Sequence, residues 1–152
     1  MREIASLDAL KALVGQDVGT SDWVDVSQSD VNQFAEATGD HQWIHTDPER
    51  AKKESPFGGP VAHGFLTLSL LPALMANTIK VSGVRMGVNY GLNRVRFTAP
   101  VPVGAAVRLH AKLLLVESLD PSVATLTWAV TMEARGITKP VCVAETLSRL
   151  YF

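Results

Sequence analysis

The second half of the chain alternates apolar and polar residues with a period of two. The alternation runs through GVRMGVNY, NRVRF, VRLHAKL and ATLTWAVTM, and a last apolar run extends from about Val141 to Tyr151. This period is typical of strands with one buried face, and turns rich in Pro and Gly separate the runs. Short connections predict an antiparallel sheet. The phase of the alternation slips across Gly91, which predicts a bulge or bend there.

Helical spacing dominates the first half. SQSDVNQFAEATGD opens with a capping-type pair, Ser27 and Asp30, and its apolar residues keep a helical period until Gly39. Glycine ends a helix at little cost because it adopts the left-handed conformation. Asp47-Pro48-Glu49 then starts a short helix that extends to about Lys53, because it places a cap, a first-turn proline and an acid in order. The SPFGGP segment that follows is a loop by composition.

The segment AHGFLTLSLLPALMANTIK predicts a helix from Phe65 to Ile79 that is apolar on nearly every side. Pro72 should bend this helix or end its regular part. A helix apolar all round must be buried on all sides, and its length of about 22 Å is too short for a bilayer. The simplest packing rolls the curved sheet around it. We therefore predict an α+β protein with a hot-dog shape, in which a long buried central helix is wrapped by an antiparallel sheet.

Composition narrows the class of protein. The 152 residues suit one domain, residues 1–152, and 47% hydrophobic with 19% charged residues indicates a globular chain. A net charge of −1 provides no field that would recruit nucleic acid or an anionic membrane. The N-terminus is a poor signal peptide and no stretch is long enough to span a bilayer. We expect a cytoplasmic protein that binds no nucleic acid and does not insert into membranes.

The candidate chemistry is concentrated in GDHQWIH, residues 39 to 45, between the two predicted helices. One interpretation is a helix end followed by the next helix cap, with the polar side chains merely solvated. This accounts for Gly39 and Asp47. It leaves unexplained a cluster with an acid, two imidazoles and an amide: Asp40, His41, Gln42 and His45.

A second interpretation is a metal pair, because His41 and His45 are four residues apart. Gly39 before them and Asp47-Pro48 after them argue against a continuous helix that would hold both imidazoles on one face. No glutamate follows His41 at the position that a zinc hydrolase uses. Cys142, the one cysteine, excludes an all-cysteine site. We therefore expect no metal.

The third interpretation is a carboxylate–imidazole pair, Asp40 and His45, that handles a water molecule. An imidazole titrates near ~6.5, so it accepts or donates a proton near neutrality. A neighbouring carboxylate orients the ring or shares the same water. Because interacting groups titrate as a pair, the sequence leaves open which group is the base and which is the acid.

Residues 37 to 51, ATGDHQWIHTDPERA, resemble the signature of the MaoC-like (R)-specific enoyl-CoA hydratases. That signature contains Gly-Asp, a variable residue, usually Asn-Pro, an aliphatic residue and His, then a small residue six positions later. FGGPVAHGFLTLSLLP and RVRFTAPVPVG are also similar to the family, and the likeness extends from about Trp23 to the last strand. Two positions depart from it, because Gln42 replaces the usual Asn and Trp43 the usual Pro.

The resemblance implies a hot-dog homodimer that adds water reversibly and syn to trans-2-enoyl-CoA, giving (R)-3-hydroxyacyl-CoA in fatty acid metabolism. The acyl carrier is coenzyme A or an acyl-carrier protein. It assigns catalysis to Asp40 and His45, and the oxyanion hole to the backbone N–H of Gly64. The start of a helix supports the last assignment independently, because its N–H groups lack partners and carry partial positive charge. Gln42 retains an amide that can bind the water. No metal or cofactor is expected, since coenzyme A belongs to the substrate.

Four further residues are candidates for substrate binding. Trp43 follows the catalytic aspartate closely and is placed to shape the acyl pocket. Asn89 and Tyr90 are candidates for lining an acyl channel, although core packing explains Tyr90 equally well. His63 adjoins Gly64, where a buried structural imidazole is the competing interpretation.

Two other functions remain open at this point. A hot-dog acyl-CoA thioesterase would cut the same thioester, but these enzymes usually draw a carboxylate from the central helix, and Phe65–Ile79 contains none. A non-catalytic acyl-thioester-binding dimer module would not need Asp40 and His45.

Overall fold

A curved antiparallel sheet and a set of short helices make up the molecule. The computed structural model describes residues 1–152, with the side chain of Leu119 excepted. The strands are β1 (Arg2–Ile4), β2 (Asp17–Thr20), β3 (Val24–Asp25), β4 (Ile79–Val81), β5 (Met86–Arg96), β6 (Ala106–Asp120), β7 (Val123–Ala134) and β8 (Cys142–Tyr151). The helices are α1 (Leu7–Lys11), α2 (Gln28–Thr38), α3 (Trp43–Thr46), α4 (Pro48–Glu54), α5 (Gly64–Ser69) and α6 (Leu71–Thr78).

The main sheet has the order β2-β6-β7-β8-β5, and β3 also pairs with β6. Every pairing within it is antiparallel, as the short connections predicted. The inner face of β6 and β7 carries the alternating apolar residues that the sequence indicated. The buried members include Val107, Leu109, Leu113, Leu126, Trp128 and Met132.

Strand β5 departs from the prediction of one buried face. Its register shifts between Asn89 and Gly91, which confirms the irregularity predicted at Gly91, and shifts again between Leu92 and Arg94. The strand lies at the edge of the sheet and pairs with β8 alone. Most of its large apolar residues, Val88 and Leu92 among them, are exposed, whereas Val95 is half-buried against the core. Apolar and polar residues do alternate along β5, but nothing in the single chain covers most of its apolar side chains.

The two helices that flank the GDHQWIH segment begin as their sequences predicted. Ser27 Oγ accepts a hydrogen bond from the amide of Asp30, and the Asp30 carboxylate accepts one from the amide of Ser27. These bonds with Ser27 lower the pKa of the Asp30 carboxyl. The side chain of Asp47 likewise caps α4 by accepting from the amide of Arg50.

The central helix is divided into α5 and α6, which meet at Leu70. Pro72 stands in the first turn of α6, and its missing N–H explains the division that the sequence predicted there. Leu66, Leu71 and Leu74 are buried, whereas Phe65 is 69% exposed. The expected burial on all sides is therefore wrong for a single chain, because its sheet covers only one side. No helix in the described part of the chain has the length and apolar character to cross a membrane.

The N-terminal elements were not predicted. Strand β1 pairs in parallel with β4, which directly follows α6, and Leu10 of α1 is fully buried in the core. Both elements are too short to show a period. They close the end of the core at which α6 finishes.

The capping box of α2 gives a prediction about stability. Ser27→Ala should lower the free energy of unfolding by about 1 kcal/mol, because the amide of Asp30 loses its acceptor. Ser29→Ala is the matched control, since Ser29 Oγ accepts only from the exposed side chain of Gln33 and its loss should cost under about 0.5 kcal/mol. Urea unfolding followed by circular dichroism measures both. Equal losses would contradict the capping role.

Candidate active site

The GDHQWIH segment folds into a helix end followed by a single helical turn. Gly39 ends α2 with a φ of 79°, in the left-handed region that glycine adopts at least cost. The chain then turns through Asp40 and His41 and enters α3, which carries His45. His41 stays outside that turn, at the surface, with its Nδ1 3.7 Å from the carboxylate of Glu36. The two imidazoles therefore do not share a helix face.

His45 is held from two sides and is only 8% exposed. Its Nδ1 lies 2.6 Å from the carbonyl oxygen of Val61. A carbonyl only accepts, so Nδ1 carries the proton and Nε2 is the free nitrogen of the neutral ring. The backbone carbonyl of His45 accepts a second bond, at 2.7 Å, from Nε2 of Gln28. Burial lowers the pKa of the imidazole below its ordinary value, although the bond to Val61 opposes this shift.

The structure brings Asp40 to His45. A carboxylate oxygen of Asp40 and one ring nitrogen each from His45 and His63 all lie within 4.8 Å of one another. A separation of this size is spanned by one water that forms hydrogen bonds to both groups. Asp40 is half-buried while His45 is buried, so the pair stands where the core meets the surface.

His63 and Gly64 form the start of α5 beside this pair. The ring of His63 stacks on that of His45 with 3.9 Å between centroids, and its Nε2 lies 2.9 Å from the backbone oxygen of Asp40. Gly64 follows as the first residue of α5, where an amide has no partner within its own helix. A Cβ at Gly64 would lie 2.6 Å from the ring of Phe97, so any other residue would have to displace that ring.

The same three side chains could be considered as metal ligands, since carboxylate and imidazole groups bind zinc. The rings of His45 and His63 are stacked with only 28° between their planes. His63 commits its Nε2 to the carbonyl of Asp40, so Nδ1 is the nitrogen that such a site would use.

Gln42 and Trp43 stand at the start of α3. The side chain of Gln42 is exposed, and its backbone carbonyl accepts hydrogen bonds from the backbone amides of His45 and Thr46. The ring of Trp43 lies under the guanidinium of Arg50, at 4.4 Å, and so packs against α4.

Asn89 and Tyr90 lie in a different part of the molecule. With Leu68 and Pro72 they line a cavity of about 270 Å³ between β5 and the central helices. The guanidinium of Arg149 lies 4.1 Å from the centre of the Tyr90 ring. A separate cavity of about 330 Å³ adjoins Gly64.

Sequence reasoning missed two residues that hold the site. Gln28, in the first turn of α2, reaches the backbone of His45 seventeen positions away. Phe34, on the same helix, places its ring 4.9 Å from that of His63. Neither contact leaves a local pattern, because each joins residues that only the tertiary fold brings together.

A central helix packed against a curved antiparallel sheet is the hot-dog fold. In this protein the acid–imidazole pair lies at the start of that helix. The chain belongs to the MaoC-like domain family, whose model matches residues 9–134. Both findings confirm what the sequence predicted.

The relatives agree with this assignment. Over 149 residues the chain is 52% identical to 3-hydroxyacyl-thioester dehydratase Z of Mycobacterium tuberculosis, and the alignment covers 98% of each of the two proteins. Among solved structures, the R-hydratase PhaJ1 from Pseudomonas aeruginosa has a TM-score of 0.66 and 25% identity, covering 89% of this chain and 79% of its own. The (R)-hydratase from A. caviae has the same fold, with a TM-score of 0.66 and 22% identity. The alignment covers 88% of this chain and 96% of the hydratase.

The burial of His45 predicts how stability depends on pH. Burial holds the pKa of the folded imidazole below 6.5, whereas the unfolded chain titrates near its ordinary value. The unfolded state therefore binds more protons on the acid side. The contribution to the free energy of unfolding should be complete above pH 6.5 and should decline as the pH falls through and below that value.

Urea unfolding between about pH 5.5 and 7.5 measures this dependence. His45→Gln removes the titrating ring and should give a flatter profile than the unsubstituted protein. Parallel profiles for the two proteins would show that another group carries the pH dependence.

Proposed function

We propose that this protein catalyses the reversible syn addition of water to a trans-2-enoyl thioester of coenzyme A, giving the (R)-3-hydroxyacyl thioester. Membership of the MaoC-like dehydratase family makes it a hydro-lyase that hydrates or dehydrates thioesters. The observation that carries the finer proposal is the convergence of Asp40 and His45 within 4.8 Å, beside the first residues of α5. Acyl-carrier protein is the alternative carrier.

Asp40 and His45 hold the reacting water between them. The bond from His45 Nδ1 to Val61 leaves Nε2 free to face that water. The water's oxygen forms a bond to the β-carbon of the enoyl group while one proton of the water is removed. The π bond between the α- and β-carbons breaks, its electron pair moves toward the thioester oxygen, and one proton is then delivered to the α-carbon on the same face. The pair performs both transfers, and because the groups interact, the two roles belong to the pair.

The amide of Gly64 stabilises the charge that builds up on the thioester oxygen. The first amides of a helix have free N–H groups and partial positive charge, and removal of one oxyanion donor typically costs about 100- to 1,000-fold in rate. His63, the neighbour of Gly64, touches both Asp40 and His45, so the donor lies next to the reacting water. The missing side chain at Gly64 leaves room for the ring of Phe97 against the start of α5.

The substrate chain follows the cleft between the central helices and β5. Asn89 and Tyr90 line one part of that cleft, and its neighbouring residues on α5 and α6 are mostly apolar. Gln42 supplies an amide near the water, and Trp43 shapes the outer side of the catalytic loop against α4. The two proton transfers need no metal or redox cofactor. Coenzyme A is part of the substrate and is not a cofactor of the protein.

The active form is a homodimer. Strand β5 is an edge strand, and such an edge with apolar side chains pairs readily with a second chain. The exposed Phe65 of α5 contacts the ring of Phe97, with 5.9 Å between centroids. The large apolar residues exposed on and beside β5 are Met86, Val88, Tyr90, Leu92 and Phe97. A second copy placed there would cover the open side of α5 and one wall of the substrate cleft.

Substitution of either member of the pair tests the reaction. Asp40→Asn and His45→Gln should each lower kcat for crotonyl-CoA hydration by at least about 100-fold, because each removes a proton-transfer group. His41→Gln is the matched control, since His41 lies in the same loop but at the surface. Loss of enoyl absorbance gives the rate, and chiral analysis of the product gives the stereochemistry.

Each contrary outcome has a distinct meaning. Near-normal hydration by either variant would remove the pair from the mechanism, and an (S) product would overturn the proposed geometry. Release of free thiol from a saturated acyl-CoA would identify a thioesterase. Binding of the thioester without turnover by the unsubstituted protein would identify a non-catalytic module.

The dimer is tested with two leucines of nearly equal exposure. Leu92 on β5 is 47% exposed and Leu115 on β6 is 45% exposed. Leu92→Arg should raise the dimer dissociation constant at least about tenfold, because it places a charge in an apolar interface. Leu115→Arg should leave the dimer intact. Sedimentation velocity measures both, and a monomeric unsubstituted protein would contradict the proposal.

A further inference from the structure

His63 contacts both members of the catalytic pair, although its position in the sequence suggested substrate binding or simple core packing. It is 2% exposed and forms the N-terminal boundary of α5. We propose that His63 is a positioning residue for the hydration reaction, which sets the separation of Asp40 and His45 and exchanges no proton with the substrate. This inference rests on the proposed function and adds a residue to it.

The first contact joins His63 to the loop that carries Asp40. Its Nε2 lies 2.9 Å from the backbone oxygen of Asp40, twenty-three positions earlier in the chain. The carbonyl can only accept, so Nε2 carries the proton and donates. His63 is the residue immediately before α5, and its carbonyl accepts from the amide of Thr67 at 3.1 Å. The bond to Asp40 therefore ties the turn after α2 to the start of α5.

The second contact fixes the plane of the His45 ring. One hydrogen bond, from Nδ1 to Val61, still allows the ring to swing about that bond. The face of His63 lies against it with centroids 3.9 Å apart and blocks this motion. His63 also contacts the ring of Phe34, with 4.9 Å between centroids. One imidazole therefore contacts α2, the backbone of Asp40 and the ring of His45.

The hydrogen-bonding state of His63 separates it from proton transfer. Its Nδ1 is buried and meets no hydrogen-bond partner among the described residues. A proton on Nδ1 would therefore be unsatisfied, and burial of an unpaired donor is costly. The proton on Nε2 is committed to the carbonyl of Asp40. The ring has no proton to give to a substrate, and its function is to hold its neighbours in place.

Two substitutions divide the contacts of His63. His63→Phe keeps a flat ring but loses the donor to Asp40, whereas His63→Gln keeps an amide donor at similar reach and loses the ring face. Each should lower kcat for crotonyl-CoA hydration by about 10- to 100-fold with KM changed by less than about threefold, since displacement of catalytic groups slows the chemical step. Unchanged kcat in both variants would overturn the proposal.

A double-mutant cycle distinguishes positioning from general structural support. In a His45→Gln background, His63→Gln should cost less than about threefold in kcat, because no imidazole is left for the His63 ring to hold in place and the amide still donates to Asp40. An equal cost in both backgrounds would assign His63 to the core alone. Failure of the proposed function looks different, because His45→Gln itself would then retain activity or the unsubstituted protein would show none.

A measurement on the unsubstituted protein does not depend on whether a variant folds. Long-range nitrogen–proton correlation spectra distinguish the two neutral histidine tautomers. His63 should carry its proton on Nε2 and His45 on Nδ1, as their carbonyl partners require. A proton on Nδ1 of His63 would break the bond to Asp40 and contradict the proposal.

Discussion

The apolar helix pair α5–α6 has to be covered on more than one side, and the sheet of one chain covers only the side of Leu66, Leu71 and Leu74. Burial of apolar surface stabilises the fold by roughly 25 cal/mol per Å². The sheet is therefore most stable when it curves around this apolar side of the helix pair. The same contact fixes the start of α5 next to the loop after α2. It also leaves Phe65 and the edge strand β5 uncovered. The position of the Asp40–His45 pair and the surface available to a second chain are thus two consequences of one packing constraint.

The site gains its order from groups that belong to the core. Burial lowers the pKa of His45, and the bond from its Nδ1 to Val61 leaves Nε2 as the free nitrogen. Its neighbours contribute two hydrogen bonds and one stacking contact: Gln28 from α2, Val61 from the segment before α5, and the ring of His63 at the start of α5. A group held in this way loses little further entropy when a substrate binds. The cost of burying polar atoms is offset because most of them are paired.

Local patterns predicted the local features of the fold. The capping pair Ser27 and Asp30, the division at Pro72 and the bulge at Gly91 each follow from residues close together in the sequence. The exposure of β5 was not predictable from alternation, because a period of two shows that a strand has an apolar face but not whether one chain covers it. The bond from Gln28 to His45 and the stacking of His63 on His45 join distant positions and leave no periodic signal. The residue types in GDHQWIH indicated acid–base chemistry, whereas only the fold shows which of these side chains lie together.

The departure from the usual Asn-Pro of the family gains a physical explanation from α3. Gln42 is the residue before this helical turn and Trp43 is its first residue. Proline suits a first helical position because the N–H there has no intrahelical partner, so Trp43 replaces it without loss of a helical bond, and its ring packs under Arg50. Asparagine is favoured at the position before a helix because its short side chain caps the free amides, whereas Gln42 forms no such bond. A loop that lacks this cap depends more on other anchors, and the bonds from Gln28 to His45 and from His63 to Asp40 are two of them.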